Sequence, residues 1–422
     1  MKNSKIFISI ASYRDPELLP TIKDLIANAK HPKNLVFSIA WQHSTEDAWD
    51  TLEEYKDDPR FKIVDIDFRE SKGACWARSV LQKNYDEEEY YLQLDSHHRF
   101  VKDWDVECIN MIKQLKKAGH EKPLLTSYIP SYNPEKDPEG RSQEPWWLTF
   151  DRFIPEGAVF FLPASIPGWK DMTQPVPSRF LSAHFIFTLG KWCQEVPYDP
   201  ELYFHGEEIS LAARSYTWGY DLFHPHKVIA WHEYTRKGRT KQWDDDTEWV
   251  EKNNKAHKRN RILFGMEPGC TPCQRNQIGI YGFGTVRTLE DYEKYCGLRF
   301  ATRGVQQYTL DNKFAPNPVI EDPIEYEASF ASIFKHCIDI YPHQVPETDY
   351  DFWCVAFENE QGETIFRQDA DINEINGMKN DPDGYCKVWR TFQYAGKPTK
   401  WVVWPYSTSK GWCEKIEGIL PV

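Results

Sequence analysis

The residues most able to do chemistry sit where a hydrophobic run stops. Tyr90-Tyr91-Leu92-Gln93-Leu94 is followed directly by Asp95-Ser96-His97-His98. In extended backbone, residues i and i+2 point to the same side. Asp95 and His97 can therefore converge on one divalent cation, supplying one carboxylate oxygen and one imidazole nitrogen. Such a mixed pair suits Mn²⁺ better than an all-oxygen Mg²⁺ site does. Taken alone, the tripeptide fits a surface turn after a buried strand equally well. A second group of candidates lies downstream. Gly206-Glu207-Glu208 opens a helical pattern, and His232 closes the short apolar run Val228–Trp231. Two adjacent carboxylates in a first helical turn both gain from the helix dipole. Capping accounts for one of them and leaves the other for a cleft.

These positions have to be carried by a scaffold. The first 130 residues alternate strand and helix patterns. Strands are expected at Ile6–Ile10, Leu35–Ala40, Phe61–Ile66, Tyr90–Leu94 and Leu124–Tyr128. Helices are expected over Leu18–Ala29, Thr45–Lys56 and Gly73–Lys83, and after Trp104. Strands separated by helices of this length form right-handed β-α-β units with parallel strands, and open sheets of that kind bind ligands at the carboxyl ends of their strands. The segments at those ends are Ser9–Arg14, Asp65–Arg69 and Asp95–His98, and all three are polar. Residues 129–180 lose the periodicity and are rich in Pro, Gly and aromatics. That pattern fits a loop region covering a substrate, or a packed β excursion. Strand Ala183–Leu189 and a helix with Ile209, Ala212, Ala213 and Tyr216 on one face follow, and Gly219 ends the helix.

From Phe314 the character changes. Pro316-Asn317-Pro318 and Asp322-Pro323 favour extended chain. Beyond them, Phe352–Phe357, Thr364–Arg367, Lys387–Phe392 and Lys400–Trp404 read as strands joined by turns. The expected organisation is an α/β domain over residues 1–312 and a small all-β, sandwich-like domain over 320–422.

Bulk properties exclude several classes. A net charge of −13 over 422 residues argues against a nucleic-acid binder and against attachment to anionic lipid. There is no run of 18 apolar residues, so no membrane insertion is expected. The basic run Lys255–Arg261 follows three aspartates, Asp244–Asp246, and reads as a solvated helix. Ten cysteines are scattered, with Cys270-x-x-Cys273 the one close pair. No secretion signal is evident, so free thiols and a cytoplasmic setting are expected. The pair itself reads as structural, because zinc requires a second ligand pair. Seventeen tryptophans fit a large core or sugar stacking. A dehydrogenase is set aside, since no G-x-G-x-x-G follows the first strand.

Taken together, the motifs carry a resemblance. Ile8-Ser9-Ile10-Ala11-Ser12-Tyr13-Arg14-Asp15, Lys72-Gly73-Ala74-Cys75-Trp76-Ala77-Arg78, Leu94–Phe100, Tyr203–Glu208 and Tyr281–Thr288 occur in order. Over residues 5–300 the chain resembles the cytoplasmic N-acetylglucosaminyltransferases that modify a hydroxyproline of a ubiquitin-ligase adaptor. More distantly it resembles the polypeptide N-acetylgalactosaminyltransferases. The resemblance implies a GT-A fold with a Rossmann-like, mixed central sheet, a UDP-sugar donor and retained anomeric configuration. It further implies Asp95, His97 and His232 as ligands of Mn²⁺ or another divalent cation. Ser9, Ala11, Arg14, Asp67, Arg78 and Ser96 are implied in nucleotide-sugar binding. Glu207 and Glu208 are implied at the sugar or the acceptor hydroxyl, with Glu208 favoured as the cleft-facing one. His98 is either a neighbour of the metal ligands or a replacement for His97. The activity so implied is transfer of GlcNAc from UDP-GlcNAc to a hydroxyl, with a protein acceptor. A different donor sugar, a glycan acceptor, or a non-catalytic glycan-binding protein are the alternatives. The resemblance does not reach the β domain.

Overall fold

The computed structural model describes residues 4–420, apart from 155, 236–238, 270–276, 380–384 and 395. The Cys270/Cys273 pair lies outside the described residues. The chain divides into two compact units. One comprises residues 1–296 with 312–318, the other 297–311 with 319–422.

The first unit is built on an eight-stranded mixed sheet. Along the chain run β1 (Ile6–Tyr13), α1 (Leu18–Asn28), β2 (Leu35–His43), β3 (Phe61–Asp67), α2 (Ala74–Gln82), β4 (Tyr90–Asp95), β5 (His98–Phe100), α3 (Trp104–Lys117) and β6 (Lys122–Thr126). After them come β7 (Trp146–Phe153), β8 (Val159–Ser165), β9 (Val176–Pro177), β10 (Phe185–Leu189), α4 (Trp192–Glu195), α5 (Glu207–Thr217), β11 (Tyr220–His224), β12 (Ala230–His232), α6 (Gln242–Asp245) and α7 (Trp249–Phe264). The sheet order is β3-β2-β1-β4-β10-β6-β11-β9. Strands β3, β2, β1 and β4 are mutually parallel, as the β-α-β reading requires. The sheet becomes mixed at β10, which runs antiparallel to both β4 and β6.

Alternation along β1 explains how both faces of the sheet are filled. Ile6, Ile8 and Ile10 pack with Leu18, Ile22 and Leu25 of α1 and Trp104, Cys108 and Ile112 of α3 in the main core. The opposite face, with Ala11 and Ala40, packs on Ala77 and Leu81 of α2. Because β1 is buried on both sides, its serines are strand residues. Ser9 is fully buried in mid-strand, which corrects its expected place at the carboxyl end of the strand. The polar segment 45–56 holds no α-helix; apart from a single 3₁₀ turn at Glu53–Tyr55 it is loop. Residues 129–180 include the antiparallel hairpin β7–β8, and the basic run Lys255–Arg261 lies in α7.

Two short strands matter most for the site. β5 and β12 form their own antiparallel ribbon, with His232 opposite His98 and Ala230 opposite Phe100. This ribbon carries the end of a distant strand to the turn that follows β4.

The second unit contains two antiparallel sheets. The first orders β13 (Leu298–Arg299), β14 (Gly304–Gln306), β15 (Phe330–Ile340) and β19 (Cys386–Tyr394). The second is β17 (Thr364–Arg367), β16 (Tyr350–Glu358), β20 (Lys400–Ser407) and β21 (Gly411–Trp412), with β18 (Ala370–Asp371) on β16 and β22 (Ile416–Ile419) on β20. Their inner faces share one core, in which Ile338, Val388 and Phe392 meet Trp353, Val355, Phe357 and Val403. The boundary differs from the expected cut near 312–320. Residues 297–311 belong to the C-terminal unit because the β13–β14 hairpin pairs onto β15.

Candidate active site

A cleft of about 490 Å³ opens at the carboxyl ends of β1 and β4, a volume within the usual range for small-molecule sites. Asp95 ends β4 directly beside Ala11 of β1. Its Oδ2 lies 3.8 Å from His97 Nε2 and 3.5 Å from His232 Nε2. One ligand atom from each of the three residues falls within 4.8 Å of the others. The pairing of β5 with β12 is what delivers His232 here.

The group has the chemistry of a cation site. His232 is 6% exposed; Nδ1 has no hydrogen-bond partner, and Nε2 has only the long 3.5 Å contact with Asp95 Oδ2, a poorly satisfied buried group of the kind that costs about 1–3 kcal/mol. A coordinated ion would satisfy Nε2. Burial pushes the pKa of the His232 ring well down, against the pull of Asp95, so the ring is in the neutral form a metal ligand needs. Burial alone would raise the Asp95 carboxyl. The His232 ring and the Arg78 guanidinium outweigh it and hold Asp95 well below the usual carboxylate range. His98 does not join the group. It is fully buried, with Nδ1 3.1 Å from the Asp95 carbonyl oxygen. The geometry therefore selects His97 over His98.

A chain of charged groups leads away from Asp95. Its Oδ1 accepts from Arg78 Nη2 at 2.6 Å, Arg78 Nη1 donates to Glu207 Oε1 at 2.8 Å, and Glu207 Oε2 accepts from the Cys75 thiol at 2.6 Å. Arg78 is 4% exposed, and both of its terminal nitrogens are engaged by carboxylates. Gly206, at φ +96°, turns the chain into α5 and sets both glutamates in the cleft wall. Glu208 Oε1 accepts from the Ala183 N–H at 2.9 Å, and its Oε2 accepts from the Tyr128 hydroxyl at 3.1 Å. Burial first, with the neighbouring Glu207 charge adding to it, pushes the Glu208 carboxyl up to about 7. The two adjacent carboxylates are thus distinct. Glu207 is locked in an ion pair, and Glu208 is a carboxyl pushed up into the neutral range.

The remaining expected residues divide. Ala11, Ser96 and Arg78 line the cleft together with Glu207, Glu208 and the metal group. Ser9, Arg14 and Asp67 are not among its lining residues. Arg14 is spent on Asp47 at 2.7 Å and Asp245 at 3.1 Å, and its guanidinium stacks over Phe68. Asp67 caps the turn after β3 and pairs with Arg69. His184 lines the cleft and stacks on His232 at 4.3 Å between centroids, whereas His224 binds the Thr126 carbonyl. Sequence reasoning missed Asp15, Tyr128, Tyr234 and the aromatic wall of Phe160, Phe161, Tyr203, Phe204 and Trp243. Asp15 carried a signal, since it is an acidic residue just past a central strand and inside the first motif.

Comparison with known proteins bears on the class. The family model described as Glycosyltransferase (GlcNAc) matches residues 5–62 and 55–302. The chain belongs to this family. It is a glycosyltransferase, and the match covers the whole of the cleft described above. No curated protein matches the sequence. Among solved structures, the glycosyltransferase is similar to GalNAc-T7 with UDP, GalNAc and Mn²⁺, at 11% identity over 95% of this chain and 70% of that one, with a TM-score of 0.49. It is also similar to residues 1–349 of S. aureus TarS in complex with UDP-GlcNAc, at 14% identity over 68% and 72% of the two chains, with a TM-score of 0.39. No helix among the described residues is long and apolar enough to cross a membrane.

Proposed function

We propose that this glycosyltransferase moves GlcNAc from UDP-GlcNAc to a hydroxyl on a protein, with retained configuration and with help from a divalent cation, Mn²⁺ by preference. The observation that carries the reading is the convergence of Asp95, His97 and His232, with ligand atoms within 4.8 Å of one another, in the cleft of a GlcNAc-family chain. Family membership supports the sugar. The resemblance set out above supports retention and a protein acceptor.

Bound there, a divalent cation would neutralise charge developing on the departing diphosphate without a proton donor. The protein's own residues do the rest. Asp95 and the two imidazoles bring one carboxylate oxygen and two imidazole nitrogens, which suits Mn²⁺. Arg78 fixes Asp95 in place and offsets part of the negative charge of Asp95 and Glu207. Glu207, held by Arg78 and Cys75, orients what docks at the start of α5. Glu208 binds sugar or acceptor hydroxyls, accepting a hydrogen bond as the carboxylate and donating one as the acid. No strong base is required if the departing phosphate takes the acceptor's proton on the face it leaves. Ala11 and Ser96 border the place where the nucleotide would lie.

The test is UDP release from a panel of UDP-sugars, with and without Mn²⁺. The expected result is release from UDP-GlcNAc that is lost on chelation. Release that is indifferent to metal, or confined to another UDP-sugar, would overturn the corresponding part of the proposal.

A further inference from the structure

Asp15, just beyond β1, has a concentration of donors that nothing in the reaction scheme uses. Its Oδ2 accepts from Ser96 Oγ at 2.7 Å, from His97 Nδ1 at 2.7 Å and from Arg239 Nη1 at 3.0 Å, and its Oδ1 accepts from the Glu17 N–H at 2.9 Å. The residue is 5% exposed. A carboxylate only accepts, so the His97 nitrogen facing it must carry the proton. In the neutral ring that a metal ligand must be, the proton on Nδ1 leaves the lone pair on Nε2, the nitrogen that faces Asp95. An imidazole without such a partner is free to rotate and to take the other tautomer, with its lone pair turned away from the cleft.

We propose that Asp15 is the positioning residue of the cation site: it fixes the tautomer and the rotation of His97 so that Nε2 is presented to the ion. The inference rests on the metal reading above and goes beyond it by assigning a cleft residue that is not one of the three candidate ligands. Its location supports this role. Ser96 lies between Asp95 and His97 in sequence, and its hydroxyl points at Asp15, so one carboxylate clamps two consecutive residues of the D-x-H turn. Outer partners of metal-bound histidines typically contribute about 10–100-fold to metal affinity.

Two measurements on the intact protein test the proposal. In metal-free protein, at a pH high enough for the His97 ring to be neutral, ¹⁵N–¹H correlation spectra of the ring should show Nδ1 protonated and Nε2 bare. Asp15→Ala should shift the population towards protonated Nε2. In Mn²⁺ titrations followed by electron paramagnetic resonance, Asp15→Ala should bind about 10–100-fold more weakly than wild type and keep a cooperative melt, with His97→Ala weaker still. If Asp15→Ala does not fold, Asp15→Leu, which roughly keeps the volume and removes the acceptor, decides by the same titration with an expected loss of about 10-fold or more. Wild type binding Mn²⁺, His97→Ala failing to bind and the Asp15 variant matching wild type would overturn this inference and leave the metal site intact. Wild type and His97→Ala binding Mn²⁺ alike would overturn the metal site and the inference together.

Discussion

Replacing Glu208 by Gln tests the electrostatics of the cleft without removing a contact. Gln fills the same volume, its carbonyl can accept from the Ala183 N–H, and its amide can donate to the Tyr128 hydroxyl, so both wild-type partners are retained. Burial raises the Glu208 pKa from its ordinary 4.5 to about 7. The folded state therefore holds a proton that the unfolded chain has released between those two pH values. Where the folded state binds more protons, stability falls as pH rises. At about 1.4 kcal/mol per pH unit, ionising Glu208 costs about 3 kcal/mol by pH 8, and this is a ceiling because the residue keeps some contact with the open cleft. Gln is never charged. The difference in unfolding free energy, Glu208→Gln minus wild type, should be near zero at pH 4.5 and climb through pH 7 to a plateau of up to about 3 kcal/mol. Urea melts of both proteins at pH 4.5, 6, 7 and 8 give this difference, and other titrating groups cancel in it. A flat difference, or one that favours wild type at high pH, would refute the idea that desolvation governs this carboxyl.

Other perturbations probe the supports of the site. Arg78→Met removes the cation between Asp95 and Glu207 and leaves two carboxylates facing each other. Loss of one partner from a buried pair costs about 3–5 kcal/mol, to be read as a fall in urea midpoint. An unchanged midpoint would mean that these carboxylates reach solvent. Gly206→Ala forces a side chain onto φ +96° and brings its Cβ to 3.2 Å from the Asn260 carboxamide. The expected cost is about 1–3 kcal/mol, with loss of UDP-GlcNAc hydrolysis as both glutamates shift. Gly377→Ala, in the helix Ile372–Lys379 with nothing within 4 Å of the new Cβ, should instead stabilise by about 0.5–1 kcal/mol. Equal effects of the two alanines in thermal melts would contradict the backbone argument.

The closeness of Asp95 and His97 was legible because its signal is local: a strand end followed by D-x-H fixes which side chains share a side. His232 is expected beside them only through the resemblance, and the pairing of β12 with β5 brings it there. The parallel part of the sheet and the β unit follow from similar periodicities and turn residues, whereas the mixed character, set by β10, comes only with the resemblance. The misplacements have a common cause in side chains that find partners far along the chain. Arg14 has a polar neighbourhood suited to phosphate, but it meets Asp47 and Asp245, which lie 33 and 231 residues away. The segment 45–56 has helical composition, yet Asp50 binds the Trp41 indole and Asp47 binds Arg14. Such side-chain bonds draw the segment out of a helix. Ser9 has the residue type of a loop, but it sits fully buried in a strand that is covered on both faces. Glu207 and Glu208 are indistinguishable as a pair in sequence. Their roles divide only through Arg78 and Cys75 on one side and Ala183 and Tyr128 on the other.

The most direct test of the cation site is anomalous diffraction at the manganese edge from crystals soaked with Mn²⁺ and UDP. One strong peak within about 2.5 Å of Asp95 Oδ2, His97 Nε2 and His232 Nε2 is the expected result. A peak held by other residues, or none at these three under saturating Mn²⁺, would contradict it.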